Sequence, residues 1–167
     1  MKLRFKHQKF QADAAKAVVN VFNGQPYLTP SYMMDRGIDT DYQRSLIEDE
    51  DFTGWNNHKI VPELNDRRVL ENLQKVQRTN QLEPSEKLEG LYNLTIEMET
   101  GVGKTYTYIK TMYELNRAYG WCKFIVVVPS IAIREGVYKS FQVTQEHFAE
   151  EYGKKVRFFI YNSAQLT

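Results

Sequence analysis

The 167 residues of the chain are enough for one domain with a sizeable hydrophobic core and too few for several large domains. Hydrophobic residues make up 42 % and charged residues 26 %, as in an ordinary soluble domain, which excludes disordered, collagen-like and coiled-coil chains. The formal net charge of +1 excludes a polycation that coats nucleic acid over its whole surface.

The first half of the chain predicts helices around an irregular insertion. Apolar residues recur at helical spacing over residues 9–22, which predicts an amphipathic helix. Prolines, glycines and asparagines then interrupt every window over residues 25–65, so this segment is predicted to be irregular. Helical spacing returns over residues 66–80, and Pro84 at a first-turn position predicts a shorter helix over 84–91.

The second half of the chain predicts alternating strands and helices. Three short runs rich in β-branched and aromatic residues lie at 94–98, 124–128 and 156–161. Segments with helical spacing separate them, at about 104–118 and 131–146. This order predicts an α/β fold class with a parallel sheet and right-handed crossovers.

The central run, 124–128, contains no polar residue, which suits a strand covered on both faces. Residues 162–167 resemble the opening of a further turn or helix. Three strands with an open edge form an incomplete sheet, so we expect the chain to be a piece of a longer protein.

Cysteine content and hydropathy point to the cytoplasm. The longest apolar run is far shorter than the roughly 18–20 residues that a bilayer span requires, and the N-terminal residues form no apolar signal segment. The single cysteine, Cys122, excludes an intrachain disulfide and a cysteine-based zinc site. We therefore predict a cytoplasmic protein with no membrane partner.

Charge is distributed unevenly along the chain. Residues 1–23 carry five basic side chains and one acidic side chain, a net of +4, whereas residues 35–51 carry seven acidic side chains and two arginines, a net of −5. One interpretation is a pair of solvated faces that balance each other. The other is that the acidic stretch faces away from DNA or docks on a basic partner surface.

The motif that carries chemistry occupies residues 98–105, Met-Glu-Thr-Gly-Val-Gly-Lys-Thr, directly after a predicted strand and directly before a predicted helix. A polyphosphate needs several backbone N–H groups converging on it, and glycine allows the loop to curl that closely. Gly101 and Gly103 supply the curl, Lys104 supplies an ammonium for the β and γ phosphates, and the Thr105 hydroxyl supplies a ligand for Mg²⁺. The motif therefore predicts a cradle for ATP or GTP.

The same motif carries a family resemblance. Met98 stands where the general phosphate-loop pattern has glycine. Methionine or another non-glycine residue is common at this place in motif I of superfamily 2 helicases and translocases. Residues 93–105 and 123–137 together resemble the restriction (Res) subunit of type III restriction-modification systems. The resemblance is strongest over the last 75 residues or so, and the first 90 match more loosely.

The resemblance implies an ATP-driven DNA translocase or helicase-like engine, joined in the full-length subunit to a nuclease domain and assembled with a modification methyltransferase. It implies a partial RecA-like P-loop domain over residues 93–167, preceded by an N-terminal helix with a glutamine motif over 1–24 and a helical and irregular insertion over 25–92. ATP and Mg²⁺ are the implied cofactors.

The resemblance also assigns roles to particular residues. Lys104 and Thr105 take the catalytic positions of motif I, and Thr105 is the Mg²⁺ ligand. The residues implied to contact the nucleotide are Gln11, Thr100, Gly101, Val102, Gly103, Lys104 and Thr105.

Gln11 is the candidate for the adenine contact, because its amide can donate and accept at once. Gln11 precedes Lys104 by 93 residues, so Gln8 and a plain surface glutamine stay open as alternatives.

Residues 129–136 are similar to motif Ia, which contacts the DNA sugar-phosphate backbone without reading sequence. Ser130 and Arg134 are the predicted DNA contacts. The alternatives are that Ser130 only caps a helix and that Arg134 is solvated or paired with a glutamate.

Groups that hydrolysis requires are missing from the sequence. No Asp-Glu pair follows an apolar β-rich run, and no second lobe supplies an arginine finger. We therefore expect the 167-residue chain to bind ATP with Mg²⁺ weakly and not to turn it over at a useful rate. His7, His58 and His147 are far apart in sequence and predict no further metal site. Two other functions stay open, a small P-loop kinase and a non-catalytic subunit-interaction module with an idle loop.

Overall fold

The computed structural model describes residues 5–33 and 54–161. These residues form four helices and one short antiparallel sheet. The helices are α1 (Lys9–Val21), α2 (Asp66–Thr79), α3 (Lys104–Tyr119) and α4 (Ile131–Tyr152). The sheet consists of β1 (Ser31–Met33) and β2 (Gly54–Asn56), with Tyr32 opposite Trp55. None of the helices in the described part of the chain is long and apolar enough to cross a membrane.

The four long helices predicted from periodicity are confirmed. α1 and α2 pack together around Val21, Leu64 and Val69, which is the smaller of two apolar clusters. The side chain of Asn65 caps α2 by accepting a hydrogen bond from the backbone N–H of Arg68 at 3.0 Å.

α4 continues six residues beyond the predicted end at residue 146. It stops where Gly153 adopts a left-handed φ of +68°.

α3 lies between α1 and α4, and the three helices run in the same direction. On one side, Gln11 contacts Val102 just before α3, and Val19 accepts a hydrogen bond from the Tyr119 hydroxyl at the other end of α3. On the other side, Tyr106 pairs with His147. The larger apolar cluster fills the α3–α4 interface with Ile109, Tyr113, Phe141 and Phe148.

Charged and polar groups also join α3 to α4. Lys110 is almost fully buried, and its ammonium donates to a Glu151 carboxylate oxygen and to the Tyr152 hydroxyl. The Tyr152 hydroxyl in turn donates to Glu114 at 2.7 Å. Burial and the neighbouring Glu114 raise the pKa of Tyr152. The buried cation therefore has both an opposite charge and a hydroxyl as partners, which its desolvation requires.

The predicted α/β class, a partial RecA-like P-loop domain with a parallel sheet, is wrong for this structure. The runs 94–98, 124–128 and 156–161 form no strands, and the sheet that the described residues contain is antiparallel and lies elsewhere. Ile125 and Val127 are 92 % and 88 % exposed, so the run predicted as a central strand is not covered on both faces.

The physical reason is that an apolar run favours burial but does not specify a ladder partner. A strand requires hydrogen bonds to a neighbouring strand, and the described residues supply none to these three runs. α3 and α4 meanwhile bury their apolar faces against each other. Those faces are therefore not available to cover a sheet.

The predicted helix over 84–91 is also wrong. The Gln77 side chain holds Ser85 by accepting from its backbone N–H and donating to its hydroxyl, and Gln74 donates to its carbonyl oxygen. These bonds hold the backbone of Ser85 against α2, so that it does not form a helical turn. Gly90 and Tyr92 then adopt left-handed φ values of +53° and +72°.

Hydrogen bonds from Asn57 hold part of the predicted insertion against the residues that follow α3. The Asn57 amide accepts hydrogen bonds from the backbone N–H groups of Cys122 and Lys123 and donates to the Lys123 carbonyl oxygen. The buried Gln25 amide similarly bridges the backbone of Lys59 and Val61. The acidic stretch over 35–51 and the predicted element over 162–167 lie outside the described residues.

Candidate nucleotide-binding site

The loop over residues 98–105 ends in the first turn of α3, as the motif predicts. Gly101 and Gly103 adopt φ values of +82° and +88°, the left-handed region that favours glycine. A Cβ built on Gly101 would meet no atom within 4 Å, so the loop is open on that side. Thr100 is exposed and Val102 is half-buried.

The start of α3 leaves backbone amides without a side-chain cap. Asn65 and Ser130 cap α2 and α4 with a side-chain oxygen, but the residue at the start of α3 is Gly103, which has no side chain. The first intrahelical bond runs from the Thr107 N–H to the Gly103 carbonyl oxygen. The N–H groups at the start of the helix are therefore available to an external acceptor, and the helix dipole favours an anion.

Gln11 lies against this loop although 91 residues separate it from Val102. Its Nε2 donates to the Val102 carbonyl oxygen at 2.8 Å, and only 8 % of the residue is exposed. No described residue donates a hydrogen bond to its Oε1. Gln8, the alternative, is exposed at the N-cap position of α1. The role of Gln11 toward adenine stays a prediction.

Gly103 fits a slot whose two walls are Gln11 and Tyr106. A Cβ on Gly103 would lie 2.6 Å from Gln11 Nε2 and 3.8 Å from Tyr106 Cβ. A Cβ in the slot would displace the Gln11 amide, and the positive φ favours glycine independently.

We predict that Gly103→Ala weakens binding of ATP with Mg²⁺ roughly tenfold, because the new Cβ breaks the Gln11–Val102 bond and the strained φ costs about 1–2 kcal/mol. Isothermal titration calorimetry measures the affinity. Gly101→Ala is the matched control: it has the same strain in φ without a neighbouring atom. Equal affinities for the two variants would show that the slot does not matter.

The side chains of the last two residues of the motif differ in exposure. Lys104 is exposed at the first position of α3, and Thr105 is half-buried beside it. Nowhere in residues 5–33 and 54–161 do three histidine, cysteine or carboxylate side chains come together in a way that could hold a metal ion.

A cluster of rings closes the site on the α4 side. The Tyr106 hydroxyl and His147 Nε2 lie 2.8 Å apart, and Phe5 packs against both rings. Burial raises the pKa of Tyr106 to about 12 and lowers the pKa of His147. Both groups are therefore neutral near pH 7.

Both predicted DNA contacts make local contacts at the start of α4. The Ser130 hydroxyl accepts from the Ile133 N–H at 3.3 Å, and the Arg134 guanidinium pairs with Glu135 at 3.0 Å. Neither side chain makes a hydrogen bond or ion pair with the described residues of the phosphate loop. Their role toward DNA stays a prediction.

Comparison with known proteins gives the family. The sequence profile described as "Type III restriction enzyme, res subunit" matches residues 59–164, which is more than half of the chain. The chain belongs to this res subunit family. The match includes the phosphate loop, α3 and α4.

Individual relatives agree with the family. The chain is 31 % identical over 162 residues to the EcoP15I Res subunit of Escherichia coli, a match that covers 94 % of this chain and 14 % of that protein. It is 34 % identical over 110 residues to the EcoPI Res subunit of Escherichia phage P1, covering 62 % and 11 %. It is 42 % identical over 69 residues to the StyLTI Res subunit of Salmonella typhimurium strain LT2, covering 40 % and 7 %. The chain thus spans about a seventh of the length of the first of these res subunits.

Sequence reasoning missed the part of the candidate site that α4 and the N-terminal segment supply. Phe5, Tyr106 and His147 are ordinary core residues by their pattern, and no spacing rule relates position 5 to position 147. The sequence does place Tyr106 two residues after Lys104, in the first turn of α3, and this nearness to the loop could have marked Tyr106 as a candidate.

Proposed function

We propose that the chain is the nucleotide-binding part of an ATP-driven DNA motor in a type III restriction enzyme. The observation that carries the proposal is the start of α3, where two glycines with left-handed φ precede a helix with no side-chain cap. An ATP phosphate chain accepts hydrogen bonds from such amides, and the helix dipole adds favourable electrostatics. Of the 167 residues, 93–105 carry the loop and the N-terminal helix carries Gln11.

Each residue of the loop has a distinct role in this proposal. Thr100, Gly101, Val102 and Gly103 present main-chain N–H groups to the phosphates. Lys104 is exposed, so its ammonium is free to reach the β and γ phosphates. Its positive charge there opposes the charge that develops on the transferred phosphoryl group in the complete motor.

In this proposal the Thr105 hydroxyl would supply one oxygen ligand to Mg²⁺. Mg²⁺ takes one or two oxygen ligands from the protein and the rest from phosphates and water, so a single hydroxyl at the loop suffices. Bound there, the ion would neutralise part of the phosphate charge.

Binding without rapid turnover is the activity we propose for these 167 residues. No Asp-Glu pair follows an apolar run to activate water, and Asp49 with Glu50 precedes the loop in a segment outside the described residues.

DNA and a second subunit complete the proposed function. We propose that Ser130 and Arg134 contact the DNA backbone, with affinity that falls as salt rises. Arg134 exchanges its Glu135 pairing for a phosphate in this proposal. The relatives are named as subunits of restriction-modification enzymes, which supports a modification methyltransferase as partner. The single cysteine supports a reducing compartment such as the cytoplasm.

The base preference of the site tests the proposal. We expect the native chain to bind ATP with Mg²⁺ about fivefold more tightly than GTP, because no residue in the described part of the chain donates to Gln11 Oε1, which would accept from the adenine amino group. In Gln11→Ala both affinities fall and the ratio approaches one, since the variant loses the loop contact and the base contact together. The ratio separates the two effects, and calorimetric titration with both nucleotides measures it. A ratio that stays near five in Gln11→Ala would contradict the assignment.

A further inference from the structure

Five aromatic rings from three parts of the chain meet around His147. Phe5 and His7 come from the segment before α1, Tyr106 from the first turn of α3, and His147 and Phe148 from α4. The ring centroids of Phe5, His7, Tyr106 and Phe148 lie 5.0, 5.8, 5.7 and 5.1 Å from that of His147. We name this group the His147 junction.

Packing alone does not account for a histidine at the centre of the junction. The His147 side chain is only 15 % exposed. Burial is the largest influence on its pKa and lowers it, so the charged form is disfavoured there. A phenylalanine would fill the same space, but only the imidazole brings a ring nitrogen within 2.8 Å of the Tyr106 hydroxyl.

What the imidazole supplies is a hydrogen-bond partner for Tyr106. The Tyr106 phenol stays protonated near pH 7 because burial raises its pKa. Its hydroxyl oxygen lies 2.8 Å from His147 Nε2, and in the tautomer that carries its hydrogen on Nδ1 the neutral imidazole accepts the hydrogen bond at Nε2. The bond fixes the position of the Tyr106 hydroxyl and, with it, the χ1 rotamer of the side chain.

The charged groups around His147 offset one another. Glu151 lies 3.7 Å from Nε2 and, with Glu150, favours the protonated imidazole, whereas His7 and Lys110 disfavour it. Glu151 is already bound by the buried Lys110 ammonium. The Glu151 carboxylate, at 3.7 Å, is therefore a weaker partner for His147 Nε2 than the Tyr106 hydroxyl at 2.8 Å.

Tyr106 connects the junction to the phosphate loop. Its Cβ lies 3.8 Å from the position of a Cβ on Gly103, and the Gln11 amide lies on the other side. Gly103 is where the loop turns into α3, and Tyr106 lies in the first turn of that helix. A shift of this turn would therefore move the amides that the phosphates would contact.

We propose that His147 is a positioning residue for the phosphate loop and acts through its hydrogen bond to Tyr106. The inference rests on the proposed nucleotide site and adds to it a residue of α4 that does not touch the nucleotide. In this arrangement the Tyr106–His147 hydrogen bond links α4, which begins at the predicted DNA contacts, to the first turn of α3 beside the proposed ATP loop.

Three variants of the 167-residue chain separate positioning from packing. His147→Phe keeps the ring and removes the acceptor, Tyr106→Phe removes the donor, and His147→Gln keeps an acceptor oxygen at similar reach. Tyr106→Phe is the milder change and keeps the test usable if His147→Phe does not fold. Affinity for ATP with Mg²⁺ is measured by calorimetry, and stability by urea unfolding.

We expect His147→Phe and Tyr106→Phe each to weaken ATP binding about three- to tenfold, as loss of one hydrogen bond implies, and the double variant to bind no worse than either. His147→Gln restores binding to within about twofold of the native chain. If the native chain binds ATP and every variant binds it equally well, whatever the unfolding midpoints, the junction only packs and the inference is wrong. If the native chain binds no ATP, the proposed function fails as well, so the two failures are distinguishable.

Discussion

The Lys104→Ala variant is expected to bind ATP with Mg²⁺ about 30- to 100-fold more weakly than the native chain. Lys104 is exposed at the first position of α3, where its ammonium can reach the phosphates. A hydrogen bond to a charged group contributes about 1.5–3 kcal/mol, which is the source of this figure. Calorimetric titration of the two proteins gives the affinities.

Stability of the unliganded variant provides the internal check. Because Lys104 is exposed, its removal is expected to change the free energy of unfolding by less than about 0.5 kcal/mol. Lys139→Ala is the matched control, since Lys139 is also exposed on a helix but lies on α4. An affinity in Lys104→Ala equal to that in Lys139→Ala would mean that the phosphates do not bind at this loop.

Gly120→Ala is expected to lower the free energy of unfolding by about 2–4 kcal/mol, which urea unfolding monitored by circular dichroism measures. Gly120 ends α3 with a φ of +80°, and a Cβ there would lie 2.0 Å from the Leu28 carbonyl oxygen. That oxygen belongs to the backbone, so relief requires the chain to move. The movement breaks the hydrogen bond from the Leu28 N–H to the Tyr119 carbonyl oxygen.

The control for that substitution is a glycine without these constraints. Gly136 lies inside α4, and a Cβ on it would meet no atom within 4 Å. Gly136→Ala is expected to stabilise the chain by roughly 0.5–1 kcal/mol, because alanine is the better helix former. A loss below about 0.5 kcal/mol in Gly120→Ala would contradict the close approach of residue 28 to the end of α3.

The helices of this chain could be predicted from the sequence because each has its own local signal. α1 and α3 follow from apolar residues at helical spacing, and Gly120 after α3 marks a helix end. The parallel sheet could not be predicted correctly, because pairing is a relation between distant segments. The run at 124–128 has a strong β preference, yet Ile125 is 92 % exposed and has no ladder partner among the described residues.

The residues of the candidate site also differ in whether their signal in the sequence is local. The signal for the loop and for its proposed role in phosphate binding is local, so Gly103 and Lys104 could be recognised from eight consecutive residues. Gln11 could be named only through the family resemblance, and the contact with Val102 that supports it spans 91 residues. His147 could not be named at all, because its neighbours in space are positions 5, 7 and 106.

The central claim is that the main-chain amides at the start of α3 hold a triphosphate. Titration of the ¹⁵N-labelled chain with ATP and Mg²⁺, followed through its amide resonances, tests it directly. We predict that the largest shifts occur at Gly101, Gly103, Lys104 and Thr105, together with the Gln11 side-chain amide, and that they are lost in Lys104→Ala. Unchanged resonances at these positions with saturating ATP, or shifts confined to another part of the chain, would contradict the account.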